Sequence, residues 1–282
     1  MEVHLTFQLE HIEDLSDVSQ EATRILKSEE ISNDLLLGEI IFVTEAVSIG
    51  LGRGACSMKA QTWPTIPVDH LLAAVMFAKK CDELEKRHKD DSKVDTVIRS
   101  EHRSYAISTI ILTVAFLEAT INDFFAGISN TLKNYETIAD ERILDEIKTL
   151  WNNKGIERQN MLYKYEQAFS ILQITSFDKS KEPCQDVILL IDLRDELVHF
   201  KPEWILFGNQ FGANEHKMAQ RLRGKFNPNT LLPDSMPFYP DRCLGSSCTR
   251  WAIKSSVAFT DFFYQEIGLD APYEKYRDQF EM

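Results

Sequence analysis

The stretch Leu193-Arg194-Asp195-Glu196-Leu197-Val198-His199-Phe200 carries the residues best suited to chemistry in this 282-residue chain. A guanidinium, a carboxylate and an imidazole interrupt an apolar run, and such groups can hold a phosphate and move its protons. Asp195 and His199 stand four apart, on one face of a helix, so the carboxylate can orient the imidazole. The last turn of a helix favours a cation, which suits His199 to general acid or base work. Arg194 precedes His199 by five positions, which puts the two about 140° apart around a regular helix. One chain does not bring both onto one phosphate, whereas two copies facing each other across a two-fold axis can.

The elements that must position these residues read as helices. Residues 104–126 place Ile107, Ile110, Ile111, Val114, Leu117, Ile121, Phe124 and Phe125 at three- and four-residue intervals, the broad stripe of a helix inside a bundle. Residues 138–151, with Ile143, Leu144, Ile147 and Leu150, and residues 161–172, with Leu162, Tyr165, Phe169 and Leu172, repeat that spacing. Pro183 suits a first helical turn, and Pro202 stops the motif helix near Phe200. Ser246 or Ser247 can cap a closing helix that buries Trp251, Ala258, Phe259, Phe262 and Ile267 and ends at Gly268.

Between these helices, residues 201–245 are rich in proline and glycine and predict a long irregular insertion. Its basic residues Lys217, Arg221, Arg223 and Lys225 have no acid between them, as an arm that tracks phosphates would. From 194 to 254 there are nine basic and six acidic residues, in a chain whose net charge is −13. A solvated surface segment accounts for the same run equally well. Glu118 and Asn122, on the long apolar helix, either support the motif from behind or form a polar edge of the bundle, and the edge is the simpler reading.

Arg194-Asp195 followed by three residues and His199 resembles the RxxxxH signature of HEPN domains, with Leu193 and Phe200 as apolar flanks. The order of a long apolar helix ending in Leu117-Glu118-Ala119-Thr120-Ile121-Asn122, intervening helices, the motif helix and an aromatic closing helix is similar to that family over residues 95–270. The resemblance implies a mainly α, HEPN-like helical bundle acting as a homodimer and as a metal-independent endoribonuclease, often a toxin or antiviral defence component. It implies cleavage of RNA to 2′,3′-cyclic phosphate and 5′-hydroxyl ends. His199 would exchange a proton with the ribose 2′-hydroxyl or the leaving oxygen, Arg194 would stabilise phosphate charge, and Asp195 would orient one or both. No cofactor or metal is expected, and an antitoxin or regulatory protein is a further possible partner. A non-catalytic relative that binds a partner or a nucleotide through the same face is the alternative.

The remaining sequence mostly excludes. The 44% hydrophobic content is enough for a packed core, and the acidic balance opposes general attraction to nucleic acid or anionic membranes. Five scattered cysteines (Cys56, Cys81, Cys184, Cys243 and Cys248) without a CxxC pair or matching histidine spacing argue for reduced thiols rather than disulfides or structural zinc. Met1-Glu2-Val3-His4 lacks the start of a secretory signal, so a cytoplasmic location is expected. The apolar stretch 105–128 contains Glu118, Asn122 and Asp123, which fits a core helix better than a membrane span.

Residues 1–94 are expected to form an extension, helical or α+β: a short strand at 3–9, a helix at 18–27, an ambiguous apolar run at 34–49, a loop at 50–67 and a helix at 68–89. Gly50-Leu51-Gly52-Arg53-Gly54 lacks the glycine spacing of a phosphate-binding loop and reads as plain loop. Residues 271–282 are expected to be a tail.

Overall fold

A computed structural model describes residues 2–8, 38–43, 55–64, 66–202 and 216–280, except 92–93, 133–134, 136, 154 and 176. The chain divides into two compact units, Met1–Thr65 and Ile66–Met282.

The first unit holds a three-stranded antiparallel sheet of β1 (Glu2–Gln8), β2 (Gly38–Val43) and β3 (Ala55–Pro64), in the order β1-β3-β2. Glu2 pairs with Gln61 and Gln8 with Ala55 on one edge of β3, while Gly38 pairs with Pro64 and Val43 with Lys59 on the other. The sequence reading of 50–67 as loop is therefore corrected, because 55–64 is the central strand. The breakers bracket that strand instead of interrupting it: Pro64 is its last residue, and Pro67 lies in the first turn of the next helix, where a missing N–H costs nothing. Of the ambiguous run at 34–49, the described residues 38–43 form β2. The expected helix at 18–27 and the Gly50–Gly54 stretch lie outside the described residues.

The second unit is a helical bundle, which makes the chain mainly α. It begins at α1 (Ile66–Arg87), so this helix belongs to the bundle and not to the extension expected for 1–94. Val68, Leu71, Ala74, Val75, Ala78, Cys81 and Leu84 recur at helical spacing along α1 and are buried, mainly against α2 (Thr96–Ser129). Asp95 caps α2 by accepting the Val97 N–H at 2.7 Å. Helix α2 is the axis of the bundle and packs against α1, α3 (Glu141–Asn153), α4 (Met161–Ile171), α5 (Cys184–Val198) and α7 (Ser246–Glu266). Among the described residues it is the one helix long and apolar enough to cross a membrane, and half of that apolar window is buried in the bundle. Its buried threonines return their hydroxyls to its own carbonyls, Thr113 to Thr109 and Thr120 to Phe116, so they burden the core with no unmet donor.

Aromatic rings from α2, α4 and α7 close the core. Phe263 stands 5.2 Å from Phe124 and 5.1 Å from Tyr165 in edge-to-face contact, a geometry that adds to the burial term. Two expectations at the C-terminal end are revised. Residues 271–282 are not a loose tail as far as they are described, since Tyr273 is fully buried, with its hydroxyl 2.7 Å from Asp261 Oδ1. A 3₁₀ segment, Glu274–Phe280, then packs on α1. The part of the 201–245 insertion that is described is also packed. Helix α6 (Lys217–Leu222) buries Met218, Ala219 and Leu222, and Leu231, Phe238 and Leu244 are buried beyond it.

Candidate active site

Helix α5 begins after Pro183 and buries Val187, Leu189, Leu190, Ile191 and Leu193 against α2 and α7. This apolar face fixes the rotation of the helix and so leaves Asp195 and Glu196 exposed and Arg194 half-buried. The helix ends at Val198, slightly earlier than expected. His199 is its C-cap, with its backbone N–H donating to the Asp195 carbonyl at 2.8 Å. Phe200, Lys201 and Pro202 continue as exposed chain.

The three motif side chains divide in a way the spacing did not specify. Arg194 Nε lies 2.8 Å from Asp195 Oδ1, yet that N–H is not aligned on any acceptor. The contact is therefore an ion pair between sequence neighbours, without a directed hydrogen bond. The Asp195 carboxylate faces Arg194, and its tie to His199 runs through the backbone only. Among the described residues no side chain hydrogen-bonds the imidazole, which is exposed. Arg194 and His199 thus share one helix end without meeting, the imidazole exposed and the guanidinium half-buried with its Nε covered.

The basic run of the insertion turns toward this helix. Arg221 reaches Asp192 at 2.6 Å. Lys225 bonds Asp186 and lies 3.3 Å from Glu182, and the Asp186 contact, foremost, raises its proton affinity. Asp186 also accepts the Trp251 indole N–H at 3.1 Å. Arg223 sits over the Phe238 ring at 4.9 Å, while Lys217 opens α6 and is exposed. Arg221 and Lys225 therefore tie the insertion to the motif helix. Glu118 and Asn122 likewise have a partner of their own: both accept from the ammonium of buried Lys164, at 3.0 and 2.8 Å. No hydrogen bond or ion pair links them to Arg194, Asp195 or His199 among the described residues.

A second polar cluster went unseen in the sequence. Cys81 and Glu85, four apart on α1, and His102 on α2 bring their ligand atoms to within 4.8 Å of one another, all buried. His102 Nε2 lies 3.2 Å from Cys81 Sγ and 2.9 Å from Glu85 Oε1. Glu85 also accepts the Ser246 N–H at 2.7 Å and the Ser246 hydroxyl at 2.6 Å. Its carboxylate caps α7 from another helix, which corrects the expectation that Ser246 or Ser247 caps it. The cap position is Gly245, where a Cβ would come within 2.8 Å of Glu85 Oε1, so the carboxylate reaches the helix end because that residue has no side chain. Burial pushes the Glu85 pKa up, but hydrogen bonds from His102 and Ser246 outweigh it and leave the carboxyl below its ordinary range. Burial, together with the charges of Glu85 and Asp82, pushes the Cys81 thiol up, which is the wrong direction for a nucleophile. The signal available in advance was the Cys81/Glu85 spacing, which gains meaning only once α1 is known to be a helix paired with α2. Cys184, Cys243 and Cys248 are likewise buried free thiols.

Comparison with known proteins finds no matching family model, no matching curated protein and no matching solved structure. The fold and site define a helical bundle carrying an arginine and an exposed histidine at the end of one of its helices.

Proposed function

We propose that the chain is a metal-independent endoribonuclease of HEPN type that works as a homodimer. The observation that carries the reading is the end of α5, where an accessible imidazole at His199 follows a guanidinium already paired with Asp195. Val198 and Phe200 flank His199 and are 51% and 50% exposed, an apolar rim that a second copy would cover. Two such helix ends across a dyad put one chain's arginine beside the other's histidine. His199 then takes the proton of the ribose 2′-hydroxyl or gives one to the leaving 5′-oxygen, and Arg194 offsets the charge on the phosphate. The 2′-oxygen attacks phosphorus and the bond to the 5′-oxygen breaks, so the ends are a 2′,3′-cyclic phosphate and a 5′-hydroxyl.

RNA cleavage in buffer without divalent cations tests this, with the helical circular dichroism signal followed alongside. The wild type is expected to cut. His199→Ala should lose on the order of 10²–10⁴ in rate while remaining folded, the range for removing a general acid or base. Equal products from both proteins overturn the reading. A cytoplasmic toxin or defence role, restrained by a partner protein, predicts growth arrest on expression of the wild type and none with Arg194→Ala.

A second reading, a non-catalytic HEPN-like dimerisation or partner-binding module, is favoured by the pairing of Arg221 and Lys225 with carboxylates of α5. Those charges are partly neutralised before any RNA arrives, and Asp195 and Glu196 add exposed negative charge beside the motif. A dimer that neither binds nor cuts RNA selects this reading.

A further inference from the structure

Cys81, Glu85 and His102 offer a thiol, a carboxylate and an imidazole at one buried point. Cys81 and Glu85 lie one turn apart on the same face of α1, and His102 enters from the second turn of α2. The start of α7 closes the third side through Ser246.

Hydrogen bonding satisfies this arrangement only in part. His102 Nε2 has two neighbours, Glu85 Oε1 at 2.9 Å and Cys81 Sγ at 3.2 Å. A neutral imidazole nitrogen offers either one hydrogen or one lone pair. With a hydrogen it serves Glu85, and the thiol is left as a weak acceptor. With a lone pair it can accept from the thiol but then faces the carboxylate oxygen, lone pair to lone pair. Glu85 cannot relieve this by turning away, because Ser246 holds both of its oxygens. A cation that takes an electron pair from sulfur, nitrogen and oxygen together resolves all three demands.

We propose that Cys81, Glu85 and His102 bind a zinc ion that braces α1, α2 and the start of α7. The mixed donor set suits zinc, whereas calcium and magnesium call for oxygen donors alone. With Zn–S of about 2.3 Å and Zn–N and Zn–O of about 2.1 Å, tetrahedral angles separate sulfur from nitrogen by about 3.6 Å and nitrogen from oxygen by about 3.4 Å. The sulfur–nitrogen and nitrogen–oxygen pairs need to part by roughly 0.5 Å from the observed 3.2 and 2.9 Å, within reach of small side-chain rotations. The Ser246 N–H and hydroxyl on Glu85 are the outer hydrogen bonds that orient a ligating carboxylate. Burial on all sides makes the site a structural brace, separate from the chemistry proposed at His199.

The experiment is metal analysis of the full chain purified without chelator, followed by cobalt substitution. The expected result is about one zinc per chain and a sulfur-to-cobalt charge-transfer band. Both should be lost in Cys81→Ser and in His102→Gln, and kept in Cys184→Ser, which alters a buried thiol elsewhere. Ser246→Ala should weaken zinc binding on the order of 10- to 100-fold. Should the ligand variants fail to fold, the wild type still decides: metal-free protein titrated with zinc should gain thermal stability, saturating at about one equivalent. Wild type that carries no zinc and whose Tm ignores added zinc overturns the proposal, as does an undiminished cobalt band in Cys81→Ser. No readout depends on RNA cleavage, so the site and the ribonuclease reading stand or fall separately.

Discussion

Lys164 has a side chain with 0% exposure, and its ammonium is held by Glu118 Oε1 at 3.0 Å and Asn122 Oδ1 at 2.8 Å. Those two partners stand four apart on α2, so a single helix face receives the charge that α4 delivers. Glu118→Ala leaves the buried ammonium with Asn122 alone. Removing one partner of a buried pair costs about 3–5 kcal/mol. The Glu118 side chain is 40% exposed, however, so water already screens part of the attraction. We therefore expect a loss of about 2 kcal/mol. Lys164→Met removes the cation and keeps most of the stem volume, and should change stability by about 1 kcal/mol or less. In that background Glu118→Ala should cost only about 0.5 kcal/mol, leaving a coupling of about 1.5 kcal/mol. Urea unfolding followed by circular dichroism measures all four corners of the cycle. Additive effects, or a Lys164→Met loss larger than that of Glu118→Ala, refute the clamp. Loss of RNA cleavage in Glu118→Ala with unchanged stability would instead place Glu118 behind the proposed active site.

Two further predictions concern single residues. Gly127 lies in α2 against the buried Tyr135 ring, and a Cβ there would stand 2.8 Å from Tyr135 Cδ2. Gly127→Ala should cost about 1–3 kcal/mol by overpacking, more than the roughly 1 kcal/mol that alanine gains in helix propensity. The Tm should fall by several degrees, and a rise would refute the packing argument. Asp178 accepts from the Ser180 hydroxyl at 2.6 Å and the Ser180 N–H at 2.9 Å, which, with Lys181, bring its pKa down to about 2. A folded value below the unfolded one of about 3.9 means that the ionised form favours the fold. That contribution is present above pH of about 4 and is lost as pH falls toward about 2. A carboxyl shift titration by NMR should place the Asp178 midpoint near the lower value, and Ser180→Ala should move it up. An unmoved midpoint would show that Ser180 does not set it.

Helix positions were legible where periodicity was strong and breakers were unambiguous. Residues 104–126 announced α2 because eight apolar side chains repeat at helical spacing, and Pro183 and Pro202 bracketed α5 for steric reasons that act within a few residues. β3 was illegible because its signal is a ladder to β1 and β2, whose partners lie far off in sequence, while the nearby glycines and prolines were close at hand and misleading.

The same division separates the parts of the candidate site. Arg194, Asp195 and His199 are adjacent in the chain, so their types and spacing could be weighed without a fold. The destination of Arg221 and Lys225 could not, because Asp192 and Asp186 lie on α5 and Glu182 in the turn before it, and a charge count does not say which way a side chain turns. Cys81, Glu85 and His102 are the extreme case, since nothing in a Cys–x–x–x–Glu spacing points to a histidine until α1 and α2 are laid side by side. The proposed active site shares this dependence on the fold. Arg194 and His199 share one helix end without meeting among the described residues, so the proposed ribonuclease calls on a second copy to bring one chain's arginine to the other's histidine. An obligate monomer that still cleaves RNA through His199 would show that one helix end suffices.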